Sequence, residues 1–442
     1  MKKPVFLRNV CFYLTLFWVL SASYPAFSAT HFTLKNGMDV YLEENHRAPA
    51  VTQMIFYKTG SWNEPAGKSG VAHLLEHMMF KGTKKFPSGR FSEEISRNGG
   101  EENAFTGKDM TAYHQTISKE HLPMIMEMEA DRMQNLQFSA KEFAFEKQVV
   151  LEERLLRYEN QPLSKLSEQM QLALFGNNPY GRPTIGLKED IAALSEEDLQ
   201  DFYQTYYRPE NAFLVFSGDI TKEELLPLAE KYYGVLQNPP QKPLPAKVSA
   251  SKPQNFTQEI TFRHPLVKQP IVMLSILNPD KDLILPAEVL AEIIGESSIG
   301  KLYLSLAMDK EIALSATAVF NRQKHLSGTF NISVIPNKIS DIPEIKKELQ
   351  QIKDIKISEK DINNAKERLI SSLIYINDDI LLQSSYLGNA IALGNSFSDY
   401  QSIAAKINAV TLTDVKKAQQ VLFSDTSAKV FGILLPPDKS PE

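Results

Sequence analysis

"LSEEDLQDF", residues 194–202, returns as "VTLTDVKKA", residues 410–418, and that return decides the fold. Ser195 and Asp198 stand at the spacing of a capping box, with Asp in place of Glu, so a helix opens there. After each copy comes an apolar strand pattern, "NAFLVFSGDI" at 211–220 and "SAKVFGILLP" at 427–436. The helical stretches lie 216 residues apart. A repeat of that size predicts an α+β chain of two homologous α/β-sandwich domains.

Upstream of the first copy, Phe32–Lys35 and Met38–Leu42 alternate around Asn36-Gly37, which predicts a hairpin. A strand follows over residues 51–59, then helices from about Gly70, Arg90, His121 and Ala140. "NPPQKPLPAKVSASKP", 238–253, reads as an extended proline-rich linker. Beyond it two strands, 256–262 and 271–277, precede a helix from about Leu283, so the plan starts again. The expected division is a leader at 1–29, a catalytic domain at 30–237, a linker at 238–255 and a second domain at 256–442.

The leader has Lys2, Lys3 and Arg8 before an apolar run from Val10 to Leu20, then small residues up to Ala29. This is the layout of a cleaved secretory signal, and the run is short of the ~20 residues that span a bilayer. It predicts export to the periplasm with no stable membrane span after processing. The single cysteine, Cys11, would leave with the leader, so neither a disulfide nor a thiolate serves the mature chain. The 442 residues carry a formal charge of −5, and losing the leader removes three further cations, which argues against nucleic acid as a partner.

"HLLEHMMFKGT", 73–83, carries the chemistry. On a helix His73, Glu76 and His77 share one face, while Leu74, Leu75, Met78 and Met79 can bury the remainder. Two histidines four apart can chelate zinc, which takes neutral imidazole nitrogens at ~2.0–2.1 Å, with Glu76 placed to accept a proton from water. H-x-x-E-H inverts the commoner zinc-protease order. The same residues would also suit the solvated face of an ordinary helix. "EKQVVLEE", 146–153, offers a further acidic ligand, since Glu146 and Glu153 lie two turns apart on one helical face.

"GVAHLLEHMMFKGT", "GGEENAFTGKDMTAYHQT" (99–116), "EKQVVLEE" and "YGRPTIG" (180–186) together resemble the M16 zinc metallopeptidases, the pitrilysin and insulin-degrading-enzyme family, in its short-chain bacterial branch. The resemblance implies half of a clamshell and a metalloendopeptidase acting on peptides or unfolded segments. It implies one zinc per chain held by His73, His77 and Glu153, the last lying 76 residues after His77. Glu76 becomes the general base and Glu146 a supporting acid of the catalytic set. Asn103 and Ala104 match residues that hold the substrate main chain, which is strand addition to a sheet edge.

The 216-residue shift sets Val289, Glu292 and Ile293 opposite His73, Glu76 and His77, so the second domain is expected to hold no metal. Family members carry an Arg and a Tyr in a stretch that reads here "GKLYLSLAMDKEIAL", 300–314, where Ala307 and Leu314 take those places. The expected assembly is therefore a heterodimer whose homologous partner supplies Arg and Tyr, with a homodimer as the alternative. A peptide-holding assembly subunit and a non-hydrolytic metal-binding protein are the competing readings.

Overall fold

The computed structural model describes residues 29–238, 256–296 and 298–438. The expected leader up to Ser28 and the linker from Pro239 to Asn255 lie outside the described residues. The first sheet is built from β1 (Ala29–Thr33), β2 (Asp39–Glu44), β3 (Ala50–Tyr57), β4 (Glu101–Thr106), β5 (Thr111–Ser118) and β6 (Ala212–Gly218), in the order β1-β2-β6-β3-β5-β4. The second contains β7 (Thr257–Arg263), β8 (Ile271–Leu277), β9 (Ala313–Asn321), β10 (Thr329–Pro336) and β11 (Lys429–Leu435), in the order β7-β11-β8-β10-β9.

The two sheets repeat one wiring. β2 runs parallel to β6 and β7 parallel to β11, and the other neighbouring strands of both sheets are antiparallel. Local signals set the elements. At the first hairpin Gly37 adopts φ 89°, which suits glycine, and Met38 N donates to Asn36 Oδ1 at 3.2 Å. Ser195 and Asp198 form a reciprocal capping box, and Thr411 with Asp414 forms the same box at the repeated helix.

One face of each sheet is covered by helices of its own half. Val40, Ile55, Leu74, Leu75, Tyr113 and Leu214 belong to the first of these cores, and Val272, Leu290, Ile294, Ile332 and Val415 to the second. On the opposite face the halves exchange a helix. Pro162–Phe175 from the first half packs Leu166, Met170 and Leu174 with Val430 and Leu434 of β11. Ile380–Ala392 from the second half packs Leu387 with Met54, Phe56, Phe213 and Val215 of β3 and β6. Glycines permit both approaches. A Cβ at Gly432 would meet Met170 Sδ at 2.2 Å, and one at Gly388 would meet the Phe56 ring at 2.1 Å. Neither helix is among the elements expected from the sequence, which gives no sign of the exchange. Among the described residues no helix is long and apolar enough to cross a membrane.

Candidate metal centre

The helix Val71–Met78 buries Val71, Ala72, Leu74, Leu75 and Met78, so hydrophobic burial fixes which side faces out. His73, Glu76 and His77 emerge together on the other side. Facing them is the helix Ala140–Arg154, started by a capping box between Ser139 and Glu142 and anchored by buried Phe143, Glu146 and Val150. Glu153 Oε2 lies 3.7 Å from His73 Nε2 and 3.4 Å from His77 Nε2. The remaining Glu153 oxygen meets Arg157 Nη1 at 3.0 Å. Glu152 points outward and is exposed.

Among the described residues His73, His77 and Glu153 form the group able to hold a metal, with donor atoms all within 4.8 Å of one another. Tetrahedral zinc at ~2.0–2.1 Å from each ligand sets donor atoms about 3.3 Å apart, so this set fits the ion with small side-chain adjustments. His77 is also oriented for the role. Its Nδ1 lies 3.2 Å from Glu146 Oε2, which leaves Nε2 turned toward Glu153, while Lys81 Nζ holds the other Glu146 oxygen at 2.5 Å. Glu76 Oε2 accepts from Thr106 Oγ1 at 2.5 Å.

Burial, then the neighbouring His77, pushes the His73 imidazole down to about 4, which keeps it neutral as a ligand must be. For His77 burial acts downward, but hydrogen bonds to Glu153 and Glu146 outweigh it and raise its pKa. Glu153 is lowered, chiefly by its bond with His77, whereas Glu76 is raised by burial.

The fold separates the two substrate-binding candidates. Ala104 packs toward the motif-helix core and shares its strand face with Thr106. Asn103 is exposed on the opposite face, its Oδ1 accepting from Ala104 N at 2.9 Å. Both lie on β4, the outer strand of its sheet. In the second half Val289 and Ile293 are buried and Glu292 is paired with Arg368, an apolar helix rather than a ligand face. Ala307 sits in the wide helical turn Leu304–Asp309, and Leu314, at the start of β9, is 56% exposed. Neither position carries a polar side chain.

Sequence reading missed Thr106, Lys81 and Arg157. Each had a periodic signal: Thr106 is two residues from Ala104 on a strand, Lys81 four from His77 and Arg157 four from Glu153.

A duplicated α/β sandwich with an inverted His–Glu–His site on one half defines a metallopeptidase architecture. Residues 39–188 match the family described as insulinase, peptidase family M16, and residues 193–369 the M16 inactive domain. The chain is 29% identical over 408 residues to the zinc protease PqqE of Helicobacter pylori, covering 90% of both chains. It is 33% identical over 210 residues to the probable mitochondrial-processing peptidase subunit beta of Schizosaccharomyces pombe, covering 46% of this chain and 45% of that one. The crystal structure of a protease from Helicobacter pylori superposes with a TM-score of 0.83 at 26% identity, covering 92% of this chain and 99% of that one. The chain belongs to the M16 peptidase family and is a zinc metallopeptidase.

Proposed function

We propose that this chain is an exported endopeptidase, with residues 30–237 as its catalytic unit and 256–442 as a metal-free counterpart. Its substrates are peptides or unfolded polypeptide segments. The observation that carries the reading is the convergence of His73, His77 and Glu153 beside Glu76. One zinc ion held by those three residues would supply a Lewis acid that polarises the scissile carbonyl and acidifies water. Glu76 accepts the proton of the attacking water and delivers it to the leaving amide nitrogen, while Thr106 fixes the carboxylate's orientation. Glu146 holds His77, and the free edge of β4 at Asn103 and Ala104 takes the substrate backbone as an added strand. In His77→Ala, zinc measured by elemental analysis should fall to background, because one of three protein ligands is gone. Undiminished zinc in that variant would refute the site.

Ala307 and Leu314 extend the reading to partnership. Missing one oxyanion donor costs ~10²–10³ in rate, so the chain alone should be a poor peptidase despite a complete metal site. A homologous chain bearing Arg and Tyr should restore hydrolysis when mixed with this one. Full activity of the purified chain, with no gain on mixing, defeats the heterodimer. Export to the periplasm rests on the leader pattern at 1–29.

A further inference from the structure

The helix that carries the metal motif has no side-chain cap from the residue before it, which is Gly70 at φ 94°. The first N–H groups of a helix lack intrahelical acceptors and, where buried, need another partner. Here Val71 N reaches Lys68 O at 3.3 Å, and the amides on either side of it come to one atom. Glu64 Oε1 accepts from Gly70 N at 2.9 Å and from Ala72 N at 3.0 Å. Glu64 is only 2% exposed, so water cannot replace it readily.

The loop bearing Glu64 is itself fastened. Arg182 donates to Glu64 O at 3.1 Å and to Pro65 O at 3.3 Å, and Lys108 donates to the Arg182 carbonyl. Both cations act on the Glu64 carboxylate. Beside it, Ser69 N and Oγ donate to Asp190 Oδ2 at 3.2 and 2.5 Å. Gly186 is pressed so closely to this turn that a Cβ would lie 2.5 Å from Ser69 O and 2.7 Å from Gly70 N. The chemistry on the exposed face of the helix is thus clamped from its buried end.

We infer that Glu64 is a positioning residue for the metal centre: by gathering the Gly70 and Ala72 amides on one oxygen, it fixes where the helix starts and so aims His73 at Glu153. His73 is the third residue of the helix, and a slip of one residue turns it by about 100°. Fraying of the first turn therefore reaches the first ligand. This rests on the zinc assignment made above.

The test uses the full chain and measures zinc affinity by chelator competition. Glu64→Ala should weaken zinc binding about 10–100-fold, the usual effect of losing a group that orients a ligand. Glu64→Gln retains a carbonyl oxygen and should stay within about threefold of wild type. Ile345→Ala, a buried site in the second half, controls for general destabilisation and should leave zinc affinity unchanged. An affinity loss in Glu64→Ala no larger than in that control overturns the proposal, as does a Gln variant no better than Ala. If the Ala variant does not fold, amide exchange in the wild-type chain decides: Gly70 and Ala72 should be protected, and loop-like exchange there overturns the cap. Loss of zinc in His77→Ala with none in Glu64→Ala sinks the cap alone, whereas zinc retained in His77→Ala sinks the metal assignment.

Discussion

Glu76 and Glu153 carry the same carboxyl group, and their surroundings separate their work. Burial raises the pKa of Glu76 against the opposing hydrogen bond from Thr106, while the bond from His77 holds Glu153 low and charged. For the proposed hydrolysis, that difference suits Glu76 to accept a proton and Glu153 to face a cation as an anion. Glu76→Gln preserves shape and leaves all three ligands in place, but its amide cannot take a proton from water. It should bind zinc as wild type does and lose about 10²–10⁴ in kcat. Wild-type turnover in this variant would remove Glu76 from the mechanism.

Among elements, the exchanged helices set what the sheets can tolerate. Ile380–Ala392 lies on Phe56, which is itself stacked on Phe213 at 5.0 Å and 3° and flanked edge-on by Phe105. That ring has nowhere to go. Gly388→Ala drives a methyl to 2.1 Å from it and should cost about 1–3 kcal/mol, the range for overpacking a tight core. Gly432→Ala meets the flexible end of Met170 and should cost less. Urea unfolding of the two variants checks the order. A Gly388→Ala protein as stable as wild type would mean that the helix does not approach the sheet so closely.

At the scale of the whole molecule the halves are joined by polar contacts as well as apolar ones. On one seam Tyr400 Oη donates to Glu43 Oε1 at 2.5 Å and Ser384 meets Ser217 at 2.8 Å. On the other His325 N donates to Tyr180 Oη at 3.0 Å, Lys324 N donates to Asp109 Oδ2 at 3.2 Å, and Trp62 stacks on His325 at 4.4 Å. Burial pushes Glu43 up to about 7 from 4.5, with the Tyr400 bond opposing. The folded chain therefore binds this proton more tightly than the unfolded chain does. The stabilisation is complete below about 4.5 and is lost as pH rises through about 7, worth up to about 3 kcal/mol. Glu64, pushed up to about 8 by burial, acts in the same direction. His73, held down to about 4, opposes this trend below about pH 6.5, so the Tm should fall between about pH 6.5 and pH 8, and less steeply in Glu43→Gln, which mimics the neutral acid. Identical slopes for the two proteins would show that Glu43 does not titrate across this range.

The chain's local grammar determined much of this by itself. Asn36-Gly37 fixed a hairpin, Ser195 with Asp198 fixed a helix start, and the apolar spacing around His73 fixed which three side chains face outward. Such features depend on residues within about eight of one another, where backbone sterics and periodicity act directly. The repeat was legible too, because both copies keep the same local signals. Which acid of "EKQVVLEE" meets the histidines was not decided by periodicity, since Glu146 and Glu153 share a face. The tertiary structure sets Glu153 against both imidazoles and Glu146 behind His77. It alone brings Thr106 to Glu76 across 30 residues, and it alone exchanges two helices between the halves. Those outcomes depend on which apolar face covers which, and an amphipathic helix states that it must be buried without stating against what.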